Sequence, residues 1–373
     1  MNRRAFLQVP LAGAMLAAPR SDLPVYRTVS PHQSSPRPGM PGAYSGSVVS
    51  IHGVRSIDQQ TGQPDPAVVR EMIARGMTSL TGDSQPADSW RRFFEPRDVV
   101  GIKVNCSGAP HVCSSPVVVA EIVRNLVNTG VKASNIFVYE RFPDQLTSVN
   151  YPKYLPAGVK VQAVEMTRQS IRGYDPLTYV EADFFGEEDT RSNLIRLVTN
   201  TFTKIVNVPN MKDHGAAGVT GCLKNIAYGN FSNVARSHRN EKTNTLSFIG
   251  TLAAVEPLRS KTVLNIMDGL KGVWHGGPFV KDTRFVFYPK QIVIGTDPVA
   301  IDRQLIDIIE AERKKQGAVS VWERSMLHVS SKHPLDPNYN PFIREPGHIE
   351  YAAGLGLGVY DQKKISHRRI EVA

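Results

Sequence analysis

Val99-Val100-Gly101-Ile102-Lys103-Val104 is a short apolar run of the kind that fills a buried strand. Pro116 then opens a segment in which Val119, Ile122, Val123, Leu126 and Val127 recur at helical spacing, and Gly130 closes it. A second apolar run, Ile136-Phe137-Val138-Tyr139, follows. Strand, helix, strand in this order is a crossover unit, which sets its two strands parallel and is right-handed. The fold class it predicts is α/β, with mostly parallel sheets built from strand-helix-strand units and two lobes around a central cleft.

The same style extends outward. Ser47-Val48-Val49-Ser50-Ile51 reads as a strand before a helical stretch from Pro66 to Met77. Downstream strands are expected at Lys204–Val208, Thr262–Met267 and Gln291–Gly295, with a helix from Pro298 to about Arg313. Residues 143–200 show no clear period and 316–346 look loop-rich. The expected organisation is one α/β region over 46–373, divisible into lobes near 46–200 and 201–373. Residues 20–45, with Ser34-Ser35-Pro36-Arg37-Pro38-Gly39, read as a flexible spacer.

Ahead of the spacer, Arg3-Arg4-Ala5-Phe6-Leu7 and a weakly apolar stretch form the pattern of a twin-arginine export signal over 1–19. It implies the twin-arginine export machinery as a partner and a periplasmic or extracytoplasmic location. No run approaches the ~20 apolar residues that cross a bilayer, so no transmembrane helix is expected in the body. The net charge of +10 favours anionic partners. The basic residues scatter without interleaved aromatics, which argues against nucleic acid.

In open α/β sheets ligands bind beyond the carboxyl ends of the strands, so the polar residues there are the candidates. Lys103 and Asn105 are two apart on a strand and point to one face. Asn207 through Gly215 reads as a strand stopped at Pro209, then a polar loop carrying Lys212 and His214. Thr220 is placed to begin a helix, Lys224 four residues later shares a helical face with it, and Asn225 follows. Two lysines, a histidine and glycine-bounded amides suit a small anionic ligand such as a carboxylate or phosphate. Lys212, His214 and Lys224 are the candidate catalytic residues; Lys103, Asn105, Thr220 and Asn225 are the candidate substrate contacts.

Asp268 follows an apolar strand, His275 lies in a glycine-rich loop, and Asp302 interrupts an apolar helical stripe. These three are the candidate ligands of a divalent metal. Asp297 before Pro298 has the form of a helix N-cap, and Glu140-Arg141 that of a surface pair. Cys106 and Cys113 enclose a short loop that suits a disulfide in an oxidising compartment. Together with Cys222 they match no common iron–sulfur spacing, so a cluster is not the expected cofactor.

Taken in order, Ile102-Lys103-Val104-Asn105, Pro209 through His214 with Thr220 and Lys224-Asn225, Asp268-Gly269, and Gly295 through Asp302 resemble the domain-of-unknown-function 362 family. Gly354-Leu355-Gly356-Leu357-Gly358 also fits, and the likeness spans roughly residues 97 to 358. Some members carry ferredoxin-like cysteine clusters, and this chain does not. The resemblance implies an architecture and a set of positions, not a reaction. The leading expectation is an exported enzyme acting on a small anionic substrate by Lys/His acid–base or metal-assisted chemistry. The alternatives are an iron–sulfur or other redox protein and a non-catalytic periplasmic binding protein.

Overall fold

The computed structural model describes residues 23–35, 39–165, 172–239, 242–326 and 336–373. Residues 1–19, expected from the sequence to be an export signal, lie outside them. The chain runs through β1 (Arg27–Val29), β2 (Ser47–Gly53), α1 (Pro66–Thr81), α2 (Pro86–Arg91), β3 (Val100–Lys103), α3 (Pro116–Asn128) and β4 (Ile136–Glu140). It continues with α4 (Pro143–Thr147), β5 (Lys160–Ala163), β6 (Tyr174–Glu181), β7 (Arg191–Ile195), β8 (Lys204–Asn207), β9 (Asn210–His214) and β10 (Gly218–Thr220). Next come α5 (Cys222–Tyr228), α6 (Thr245–Ala253), α7 (Leu258–Lys261), β11 (Thr262–Val273), β12 (Val286–Phe287) and β13 (Gln291–Gly295). α8 (Pro298–Lys315), α9 (His348–Gly354) and β14 (Ser366–Val372) complete it.

The central sheet has the order β14-β2-β13-β11-β8-β3-β4-β5. From β11 through β5 every neighbour is parallel, as is β14 beside β2, whereas β13 is antiparallel to both its neighbours. The mixed α/β class with a mostly parallel sheet is the expected one. The strands of residues 46–200 and 201–373 interleave in this one sheet.

Helices cover both faces. Met72, Ile73 and Met77 of α1 and Val119, Ile122 and Leu126 of α3 pack with Ile102, Ile266 and Ile294 on one side. Leu223 and Ile226 of α5, Phe248 of α6 and Leu305 and Ile309 of α8 pack with Ile205, Met267 and Val293 on the other. Pro116 starts α3 behind the Ser115 cap, and Gly130 takes a φ of 97° where the chain turns back to β4.

Several local expectations change. Lys212 and His214 sit on a buried strand, β9, paired antiparallel with β10, not on a surface loop. Thr220 ends β10, and Gly221 caps α5 in its place. Asp268 lies inside β11, which runs to Val273. Within the stretch read as a spacer, β1 pairs with β6 and Met40 is fully buried. The featureless 143–200 holds β5, β6 and β7.

The start of α5 depends on close approach. Asp302 of α8 accepts from the Cys222 amide at 2.6 Å and the Leu223 amide at 2.9 Å, so a carboxylate from another helix caps this one. A Cβ on Gly221 would overlap that carboxylate. Gly221→Ala is therefore expected to destabilise the fold by about 1–3 kcal/mol in chemical denaturation. Unchanged stability would show that Asp302 is not locked there.

Candidate functional site

A cavity of about 490 Å3 opens at the carboxyl end of β3 and beside α5. Lys103, Asn105, His214, Thr220, Lys224 and Asn225 line it, so six of the seven candidate catalytic and substrate-contact residues share one wall. Lys212 stands one layer behind. The rest of the lining is mixed: Phe142, Tyr228, Val234, Phe279 and Phe342 bring apolar surface, and Glu140, Arg141, His238 and Lys281 polar groups.

The three lysines are satisfied differently. Lys103 donates to Glu140 Oε1 at 2.8 Å and to the Val104 carbonyl at 2.6 Å. Glu140 also accepts from the Arg141 and Cys106 amides, so it is a buried counter-ion and not half of a surface pair. Arg141 turns to Glu165 at 2.8 Å. Lys212 is fully buried and donates to Asn105 Oδ1 at 2.7 Å and Ser107 Oγ at 3.3 Å. Burial lowers its pKa to about 8. Lys224 is buried too, and among the described residues no carboxylate pairs with it; its Nζ lies 4.5 Å from the centroid of the Tyr228 ring. Burial, reinforced by the Lys212 charge, lowers Lys224 to about 7.

Asn105 begins a run of buried amides. Its Nδ2 donates to Asn225 Oδ1 at 3.1 Å, Asn225 Nδ2 to Asn207 Oδ1 at 2.8 Å, and Asn207 Nδ2 to Asn265 Oδ1 at 2.9 Å. Asn207 and Asn265 carried no signal beyond their strand positions and were not candidates.

His214 Nδ1 accepts from the Ala216 and Ala217 amides, each at 3.1 Å, which leaves the ring proton on Nε2. Burial, then the Lys224 charge, holds His214 well below the usual histidine range. His238, whose ring centroid is 5.3 Å away, is pushed by burial to about 3. His348 is pushed by burial to about 4. His214 is thus a neutral hydrogen-bond donor. Thr220 Oγ1 is buried in the same wall and has no hydrogen-bond partner among the described residues.

The candidate metal ligands do not converge. Asp302 caps α5, and burial raises it to about 7 against those two amide donors. Asp268 accepts from the Ser115 amide at 2.6 Å and the Leu270 amide at 3.0 Å, beside a separate cavity of about 190 Å3. Burial raises Asp268 to about 6. His275 stacks edge-on with Phe285 and faces Arg313 at 3.2 Å, with burial lowering it to about 4. Each carries its own structural partners. Among the described residues no group of three His, Cys, Asp or Glu side chains is placed to hold a metal ion.

The cysteines are all free and buried. Cys106 Sγ lies 3.7 Å from the Tyr151 hydroxyl, Cys113 lines the smaller cavity, and Cys222 opens α5. Burial raises all three thiols, Cys113 to about 11.

Fold and cavity together define an α/β protein whose polar cavity wall stands at the strand ends. The chain belongs to the family described as Domain of unknown function (DUF362), whose model matches residues 100–307. The match takes in β3 through most of α8, and with them the whole amide run. No curated protein matches the chain. A crystal structure of a protein from Thermotoga maritima, determined as a structural-genomics target, is similar at 12% identity. That match covers 67% of this chain and 59% of the other, with a TM-score of 0.40. Among the described residues no helix is long and apolar enough to cross a membrane.

The buried Lys224 ties stability to pH. The unfolded chain holds its proton to about pH 10.5, whereas the fold releases it near 7. Below pH 7 both states are protonated and the full cost of burying the charge is present. As pH rises from 7 towards 10.5 only the unfolded state holds the proton, so stability rises. Relative to Lys224→Met, the wild-type protein should gain about 2 kcal/mol between pH 7 and pH 9 in denaturant titrations. A pH-independent difference would contradict the burial of that amine.

Proposed function

We propose that the protein is an enzyme for a small anionic substrate with an apolar body, bound in the cavity beside α5 and converted by proton transfer at Lys224. One observation carries this reading: Lys224 is a buried amine that no carboxylate pairs with among the described residues, and it lines a cavity whose mixed lining includes the aromatic rings of Phe142, Tyr228, Phe279 and Phe342. An anion there would supply the missing counter-charge, while the ring of Phe279, half-exposed at the cavity, would cover the apolar part.

A lysine that titrates near neutral pH exchanges a proton readily, which suits a general base or acid. Lys212 does not reach the cavity wall; it adds positive potential from behind and orients Asn105. His214 offers its Nε2 proton as a hydrogen bond to the ligand and is not the base. Lys103 is committed to Glu140 and helps shape the floor. Titration calorimetry with benzoate and phenylacetate tests the site. Lys224→Met should weaken binding by about 10- to 100-fold, the loss of one charge-assisted hydrogen bond. Equal affinity in wild type and variant would remove Lys224 from the site.

The reading extends to location. Arg3-Arg4 followed by Phe6-Leu7 supports export of the folded protein by the twin-arginine route to the periplasm. With Arg3 and Arg4 both changed to lysine, precursor should accumulate in the cytoplasm of a bacterial host that has this route. Undiminished arrival in the periplasm would dismiss that role.

A further inference from the structure

Besides the exposed Lys281, the three buried lysines at this site divide into one neutralised by Glu140, one held by neutral acceptors behind the wall, and one with the Tyr228 ring beside its amine. Among the described residues Lys224 Nζ makes no hydrogen bond or ion pair, and the residue lines the cavity. Proton exchange and nucleophilic addition both draw on the neutral amine, and addition further needs its lone pair unencumbered and an electrophile close by. A second cation near a desolvated lysine is a known way to keep that amine neutral, and Lys212 stands in this relation to Lys224.

We infer that Lys224 forms a covalent imine with a 2-oxo carboxylate whose apolar side chain lies against Phe142, Phe279 and Phe342. Its carboxylate, one bond from the keto carbon, stays beside Lys224, and the His214 Nε2 proton and the Lys281 side chain are further donors in the lining. The neutral Lys224 amine adds to the keto carbon. A C–N bond forms as the C=O π pair moves to oxygen, and the nitrogen gives up one proton while the oxygen takes one. The carbinolamine then loses its hydroxyl as water, a second proton being delivered to that oxygen and one leaving nitrogen. The sum is amine plus ketone giving imine plus water, with the protons exchanged through solvent at the cavity mouth. This chemistry rests on the reading of the cavity as an anion site and gives that site a substrate class.

The test uses the full chain with phenylpyruvate and sodium cyanoborohydride at pH 8, followed by peptide mapping by mass spectrometry. Hydride delivered to the imine carbon leaves a stable secondary amine. At this pH an amine titrating near 7 is about nine-tenths neutral, against about one in two hundred and fifty for an exposed lysine. Lys224 should therefore carry the adduct at least about tenfold more than any other lysine. Phenylacetate, which has the ring and the carboxylate but no keto group, should bind in calorimetry and suppress the labelling. Lys224→Arg should keep the charge and lose the adduct; the wild-type map decides the matter even where that variant does not fold. Phenylacetate binding with Lys224 left unmodified would overturn the imine and leave the anion site standing. Absence of both would overturn both. Labelling of Lys224 that phenylacetate does not suppress would overturn the assignment of a carboxylate substrate.

Discussion

The run of buried asparagines from Asn105 to Asn265 is the constraint on which the cavity floor depends. An ammonium group can only donate, so Lys212 fixes the oxygen of Asn105 towards itself. The Asn105 amide nitrogen must then face Asn225, that of Asn225 must face Asn207, and that of Asn207 must face Asn265. Asn265 ends the run by donating to the Thr296 carbonyl at 3.2 Å. One buried cation therefore sets the direction of four side chains across α5, β8 and β11. Reversing any one amide would set donor against donor within this buried run.

Charge is managed by the same economy elsewhere. Asp302 gives both oxygens to amides of α5, and Asp297 accepts from Gly46, Ala300 and Val359, pinning the start of β2, the start of α8 and a late loop to one point. Lys103 has Glu140, and Gly229 leaves room for its side chain, since a Cβ there would overlap Lys103 Cε. Against that background of committed groups, an uncommitted Lys224 is the exception, and exceptions of this kind mark where a ligand completes the arrangement.

How much of this the sequence disclosed follows from the range of the forces involved. The parallel unit β3-α3-β4 was legible because its apolar spacing, Pro116 and Gly130 are local signals. Asp297 as a cap was legible for the same reason. Lys103, Asn105, Thr220, Lys224 and Asn225 could be picked out because polar residues next to buried strands and at helix starts need an explanation. Partners were not legible. Nothing near Asp302 in sequence points to the Cys222 amide, nothing near Glu140 points to Lys103, and a lysine with alternating polar neighbours reads as loop although β9 buries every residue it has. The metal reading of Asp268, His275 and Asp302 rests on residue type and place along the chain, and among the described residues these three do not come together in a metal-holding group.

The pairing of β14 with β2 has a consequence for how the molecule is made. β2 emerges early, yet both its neighbours, β13 and β14, come from the far end of the chain. Such distant partners make for slow acquisition of structure, since the chain must be closed over most of its length before these contacts reward it. While β13 and β14 are still on the ribosome, the early strand presents two bare margins of backbone amides and carbonyls. The newborn polypeptide thus has a built-in waiting period, during which that early strand is open to pairing with other nascent chains.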